Sequence, residues 1–189
     1  MSGGLAIAIL AAGSARRFGG GKLDADCGGK PLGQWALDAA QEVEGRLAVV
    51  VGPEAPAFAE GRELVVNPQA EEGLGTSAAV AARWAIATGA DALLIVLADM
   101  PLTAGATLQA IAESPLPAAA AWAGGKPGAP ACFPASMFAD LAVLQGEDGA
   151  SRLLRGRRDV RLVEVSEEEL RDVDRPEDLA DVAAILGTR

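Results

Sequence analysis

A chain of 189 residues with 50% hydrophobic side chains and 4% aromatics is long enough to bury a core without disulfide staples. That core has to be built mainly from Ala, Val, Leu and Ile. A net charge of −10 argues against a nucleic-acid or anionic-membrane surface. Two cysteines, Cys27 and Cys132, lack metal-ligand spacing, and histidine is absent altogether. These counts exclude a disulfide framework, argue against a zinc site and remove the commonest general base. Chemistry is left to carboxylates, lysine, a metal ion or positioning.

In chain order, the apolar run Leu5–Leu10 reads as a buried strand, and Leu32, Ala36, Ala39 and Val43 recur at helical spacing. Strands are expected at Leu47–Val51, Leu64–Val66 and Ala92–Leu97, with a helical stripe of Val80, Trp84 and Ala87 before the last of these. Pro53–Pro56 and Glu113–Pro117 read as loops. The alanine run Ala118–Ala121 suits a helix or a strand equally, and Ala131–Phe133 and Val160–Val165 read as further strands. Leu179, Val182, Ala183 and Leu186 form a last helical stripe. Strands separated by helices need crossover connections, so the expectation is α/β. It takes the form of a three-layer, Rossmann-like, mostly parallel sheet with helices on both faces, in one domain over residues 1–189. The apolar stretch from Ala78 to Leu97 is broken by Arg83, Gly89 and Asp91, so no membrane span is expected. The start of the chain lacks the basic region of a signal peptide, and the expected location is cytoplasmic.

The densest chemistry follows the first strand. Leu10-Ala11-Ala12-Gly13-Ser14-Ala15-Arg16-Arg17-Phe18-Gly19 is followed by Lys22 and then by Gly28-Gly29-Lys30-Pro31-Leu32. Ligands of open α/β sheets settle beyond the carboxyl ends of the strands. Gly13 permits close backbone approach to a polyphosphate, and Arg16, Arg17 and Lys22 would neutralise it. The plain alternative is a flexible basic loop, with Lys22 and Arg17 paired to Asp24 and Asp26. The spacing fits neither a Walker A loop nor the dinucleotide fingerprint, which makes an oxidoreductase a poor reading. Asp99 stands at the carboxyl end of a buried strand before Met100-Pro101. It is placed either to hold Mg²⁺ or to cap a helix starting near Thr103. Asp174 opens Asp174-Arg175-Pro176-Glu177, which a capping box alone would explain. Asn67 and Gly73–Ser77 are expected to form a second pocket wall, with the Thr76 and Ser77 hydroxyls serving a ligand and an N-cap together.

These stretches resemble the MobA-like nucleotidyltransferase family, most of all its molybdenum cofactor cytidylyltransferase branch. The resemblance continues through Asn67-Pro68, Gly73-Leu74-Gly75-Thr76-Ser77, Ala98-Asp99-Met100-Pro101, Gly128-x-Pro130 with Phe133, Gly146–Ala150 and Asp172–Asp178. It tips Ala118–Trp122 toward a strand and implies a fold of the nucleotide-diphospho-sugar transferase type. It also implies nucleotidyl transfer from a nucleoside triphosphate to a phosphorylated acceptor, with Mg²⁺ and release of pyrophosphate. The implied catalytic residues are Arg17, Lys22 and Asp99. Nucleotide contacts fall on Leu10, Ala11, Ala12, Gly13, Asn67, Gly75, Thr76 and Ser77, and metal ligation on Asp99 and Asp174. In the family, Ala at the position of Ala12 goes with cytidylyl transfer and Gly with guanylyl transfer. CTP and a molybdopterin acceptor are therefore favoured, although Ala12 also suits plain packing. Guanylyl transfer to the same cofactor, transfer to a sugar or polyol phosphate, and a non-catalytic nucleotide-binding protein stay open. The acceptor would face Gly124–Pro130, Phe133 and Gly146–Ala150. Here Glu147 and Ser151 depart from the family's usual Asp and Arg, and Arg152 comes one place late. The run Arg152, Arg155, Arg157 and Arg158 reads as a solvated helix end or a contact for an anionic acceptor.

Overall fold

The computed structural model describes residues 4–13, 18, 20–147 and 149–187. Among the described residues, seven strands form one sheet: β1 (Leu5–Leu10), β2 (Arg46–Val51), β3 (Leu64–Val66), β4 (Ala92–Leu97), β5 (Ala118–Trp122), β6 (Lys126–Pro134) and β7 (Arg161–Glu164). They lie in the order β3-β2-β1-β4-β6-β5-β7. Every pairing is parallel except those of β6, which runs antiparallel to β4 and β5. The helices are α1 (Leu32–Gln41), α2 (Leu74–Thr88), α3 (Gly105–Glu113), the single turn α4 (Phe138–Leu141) and α5 (Pro176–Leu186).

β1 and β4 are apolar throughout because both of their faces are covered. Side chains alternate across the sheet. Ala6, Ala8, Leu10, Val50, Leu93 and Ile95 meet the alanine-rich face of α2 and α4. Ile7, Ile9, Val49, Val51, Leu94 and Val96 meet α1 and α3. A third cluster of Cys27, Leu32, Leu102, Val173, Val182 and Leu186 ties α5 and the segment before it to α1.

The expected three layers and mostly parallel sheet are what the chain forms. Ala118–Trp122 is a strand because it lies between β6 and β7, where Ala118, Ala119 and Ala120 are fully buried. β6 is far longer than Ala131–Phe133. It begins in the Gly/Pro-rich stretch after a turn closed by Gly125 N–H donating to Trp122 C=O at 2.9 Å. Val43 falls beyond the end of α1, and α3 begins at Gly105. No helix among the described residues is long and apolar enough to cross a membrane.

Candidate active site

The chain runs from β1 through α1 to β2 on one side of the sheet, and β4 pairs on the other side. A crevice therefore opens beyond the carboxyl ends of β1 and β4, where such sheets bind ligands. Two adjoining cavities occupy it, of about 390 and 590 Å³. Ala11, Ala12, Gly13 and Lys22 border both. The smaller one also takes Leu10, Ser77, Asp99, Glu147 and Asp172, and the larger extends over Gly52–Pro56. Sheet hydrogen bonding holds the start of this loop: Ala11 N–H donates to Val50 C=O at 2.8 Å, and Ala98 N–H to Leu10 C=O at 3.1 Å. Gly13 is the first exposed residue of the loop.

Lys22 opens a short 3-10 helix, Lys22–Asp24, after Gly20 and Gly21, whose φ of +98° and +61° favour glycine. Asp24 pins this helix by accepting from the Ala57 and Phe58 N–H groups at 2.8 and 2.9 Å. Asp26 accepts from Gly29 N–H at 3.0 Å. Neither is the partner of Lys22. Its Nζ crosses the crevice to donate to Asp99 Oδ2 at 2.8 Å and lies 3.9 Å from Asp174 Oδ1. The Lys22 side chain is 11% exposed, so this pair is only weakly screened.

The capping alternatives for both aspartates fall away. Glu169 caps α3, its Oε2 accepting from Ala104 N–H at 3.0 Å and Thr107 Oγ1 at 2.6 Å. Asp178 serves α5, its Oδ2 accepting from the N–H groups of Arg175 and Asp174 at 2.8 and 3.1 Å. The segment before α5 is held against Asp99 itself. Val173 is fully buried and its N–H donates to Asp99 C=O at 3.0 Å. With Val173 turned inward, its neighbours Asp172 and Asp174 are left beside the crevice, where Asp172 lines the smaller cavity. Burial, together with the charges of Asp99 and Asp174, pushes the Asp172 carboxyl above the ordinary range, with Lys22 opposing. Asp172 is a site residue to which the motif reading assigned no role. The alternation Asp172-Val173-Asp174 around an apolar residue was its available signal.

The donor set suits a hard divalent cation. Among the described residues no three acidic or thiol side chains converge to enclose an ion. Mg²⁺, however, ordinarily takes one or two carboxylates and completes its shell with substrate phosphates and water. Asp99 and Asp174, already flanking the Lys22 ammonium as a stand-in cation, meet that requirement.

Asn67, Gly75 and Thr76 stand behind the cavity wall. Asn67 Nδ2 donates to Thr76 Oγ1 and Ser77 Oγ at 2.9 and 3.0 Å, and its Oδ1 accepts from Gln69 N–H at 3.0 Å. Thr76 Oγ1 donates to Gly73 and Gln69 carbonyls, and Gly75 N–H donates to Gly146 C=O at 2.9 Å. Ser77 alone of the four reaches the cavity. Neither Thr76 nor Ser77 is an N-cap, because α2 begins ahead of them at Leu74. Lys30 stands apart from the crevice: it pairs with Asp38 and lies over the Trp35 ring, 3.6 Å from its centroid, as an anchor of α1. On the acceptor side, Glu147 reaches the smaller cavity. Ala129, Phe133, Ala150 and Ser151 surround a separate apolar cavity of about 40 Å³ beside Leu97. Arg157 pairs locally with Asp159 at 2.6 Å. Arg16, Arg17 and Asp148 lie outside the described residues.

The model of the MobA-like NTP transferase domain matches residues 7–164. The purine catabolism protein PucB of Bacillus subtilis (strain 168) is 32% identical over 189 residues, covering 90% of this chain and 91% of its own. The bifunctional protein GlmU of Rhodopseudomonas palustris (strain BisA53) is 46% identical over 110 residues, 52% of this chain. That match spans only 24% of the GlmU length. A crystal structure of Rv0371C from Mycobacterium tuberculosis in complex with manganese superposes with a TM-score of 0.74 at 25% identity, covering 96% of this chain and 98% of that one. The architecture is the nucleotide-diphospho-sugar transferase fold.

Proposed function

We propose cytidylyl transfer as the reaction of this chain, which belongs to the MobA-like NTP transferase domain family and is a nucleotidyltransferase. An acceptor phosphate oxygen attacks the α-phosphorus of CTP in line. The new P–O bond forms as the bond from the α-phosphorus to the β-phosphate's bridging oxygen breaks, and pyrophosphate leaves. Lys22, which borders both cavities, neutralises charge building on that leaving group, and Arg17 is assigned the same task. Asp99 and Asp174 would hold Mg²⁺. When bound, the ion neutralises phosphate oxygens as the charge shifts. Leu10–Gly13 and Ser77 form the nucleotide wall, with Asn67, Gly75 and Thr76 positioning Ser77 from behind.

One observation carries this reading: an ammonium and two carboxylates from distant parts of the chain meet at the mouth of β1 and β4. For the base, Ala12 lines both cavities, and a methyl group at this position supports cytosine over a purine. For the acceptor, the motif resemblance supports a molybdopterin cofactor, and sugar or polyol phosphates are the second choice.

Pyrophosphate release from CTP and from GTP, with Mg²⁺ and each acceptor, tests the proposal. Lys22→Ala or Asp99→Asn should lower kcat about 10²–10³-fold, as for other preorganised charge-stabilising groups. A preference for GTP would remove the Ala12 argument. Tight nucleotide binding without turnover would favour a non-catalytic binding protein, and parental activity in both variants would end the reading.

A further inference from the structure

Lys22 stands where a metal ion would compete with it. Its Nζ is 2.8 Å from Asp99 Oδ2 and 3.9 Å from Asp174 Oδ1, the two carboxylates assigned to the cation. A Mg²⁺ ion bonds its oxygens at about 2.0–2.1 Å, so an ion on Asp99 would lie against the ammonium at a half-buried site. Both cations cannot be held there at once without strong repulsion. The backbone under Lys22 is fixed, because Asp24 is hooked to the Ala57 and Phe58 N–H groups. The four-carbon stem carrying the ammonium remains rotatable. Lys22 also borders both cavities, so its head group has open space beside it to move into.

We propose that Lys22 is an internal cation that keeps the divalent site shut until a triphosphate draws the ammonium away. This inference rests on the reading of the crevice as a nucleotide and metal site. It adds that nucleotide and metal bind with positive coupling for which Lys22 is the switch. Without nucleotide, the ammonium holds Asp99 and a free divalent ion binds weakly. With a triphosphate, phosphate oxygens compete for the ammonium, Asp99 is released, and the same oxygens complete the ion's shell. By linkage, metal tightens nucleotide to the extent that nucleotide tightens metal.

The test is Mn²⁺ binding to the full chain, followed by loss of the free-ion EPR signal, first with no nucleotide and then with CTP, with the signal lost to Mn²⁺–CTP in protein-free solution subtracted. Lys22→Met keeps the apolar stem and removes the charge. It should bind Mn²⁺ alone roughly tenfold tighter than the parent, within the usual range of coupling strengths. The parental gain in Mn²⁺ affinity on adding CTP should shrink in the variant by a similar factor. Adding Asp99→Asn to Lys22→Met should abolish the gain. Equal or weaker Mn²⁺ binding by Lys22→Met overturns the proposal, as does a gain that survives Asp99→Asn. Lys22→Gln provides a second neutral variant should Lys22→Met not fold. The nucleotide-free arm involves neither CTP nor acceptor, so a failed transferase assay and a failed switch are separate results.

Discussion

Asn67→Ala is the substitution whose cost the structure sets most directly. The side chain is 1% exposed and makes three hydrogen bonds, two as donor to Thr76 and Ser77 and one as acceptor from Gln69 N–H. At about 1 kcal/mol net for each, the truncation should cost roughly 3 kcal/mol. For a chain of this size that corresponds to a fall in Tm of roughly 6–12 °C. Thermal unfolding followed by circular dichroism at matched protein concentration measures it directly. Because Ser77 lines the crevice and loses its support, KM for the nucleotide should rise while kcat stays near the parental value. A melting point within about 2 °C of the parent would refute the idea that this buried network holds the wall.

Gly73 has a φ of +118°, and a Cβ there would overlap the Gly146 carbonyl. Gly73→Ala should cost about 1–3 kcal/mol, read from urea unfolding, and should raise KM for the acceptor by shifting Glu147. Gly33 faces the Phe58 ring with no room for a methyl group. Gly33→Ala should destabilise by about 1–3 kcal/mol, and a cycle with Phe58→Leu should recover part of that loss. The Glu63 carboxyl is held below the usual carboxylate range by hydrogen bonds from Arg46 and then Trp84. Its folded pKa is lower than its unfolded one, so its contribution is present above the unfolded value and lost as pH falls through the folded value. Tm measured against pH should therefore show the gap between parent and Glu63→Gln closing in acid.

Much of the scaffold could be read locally. Burial on both faces imposes apolar runs on β1 and β4, and a strand's carboxyl end marks where a residue such as Asp99 meets the crevice. β6 escaped because Lys126–Pro134 is rich in the glycine and proline of loops. It is a strand because β4 and β5 flank it on both sides. Lys30 carries the same charge as Lys22 and lies near it in the chain, yet Asp38 and Trp35 claim it for α1. Asn67 and Thr76 carry the side chains of a ligand wall, and only packing revealed that their polar atoms are satisfied by one another.

Residue order alone dictated the layered α/β scaffold and the cationic loop after the first strand, since hydrophobic period and backbone preference act over a few neighbouring residues. Which aspartates come together beside the crevice is decided by the tertiary fold. Lys22 and Asp99 are 77 residues apart in the chain, and Asp172 and Asp174 reach them through the buried Val173 bound to the Asp99 carbonyl. Asp99 and Asp174 each had a sufficient local explanation as a helix cap. Charges so distant in sequence acquire a partner only when strand order and core packing bring them together.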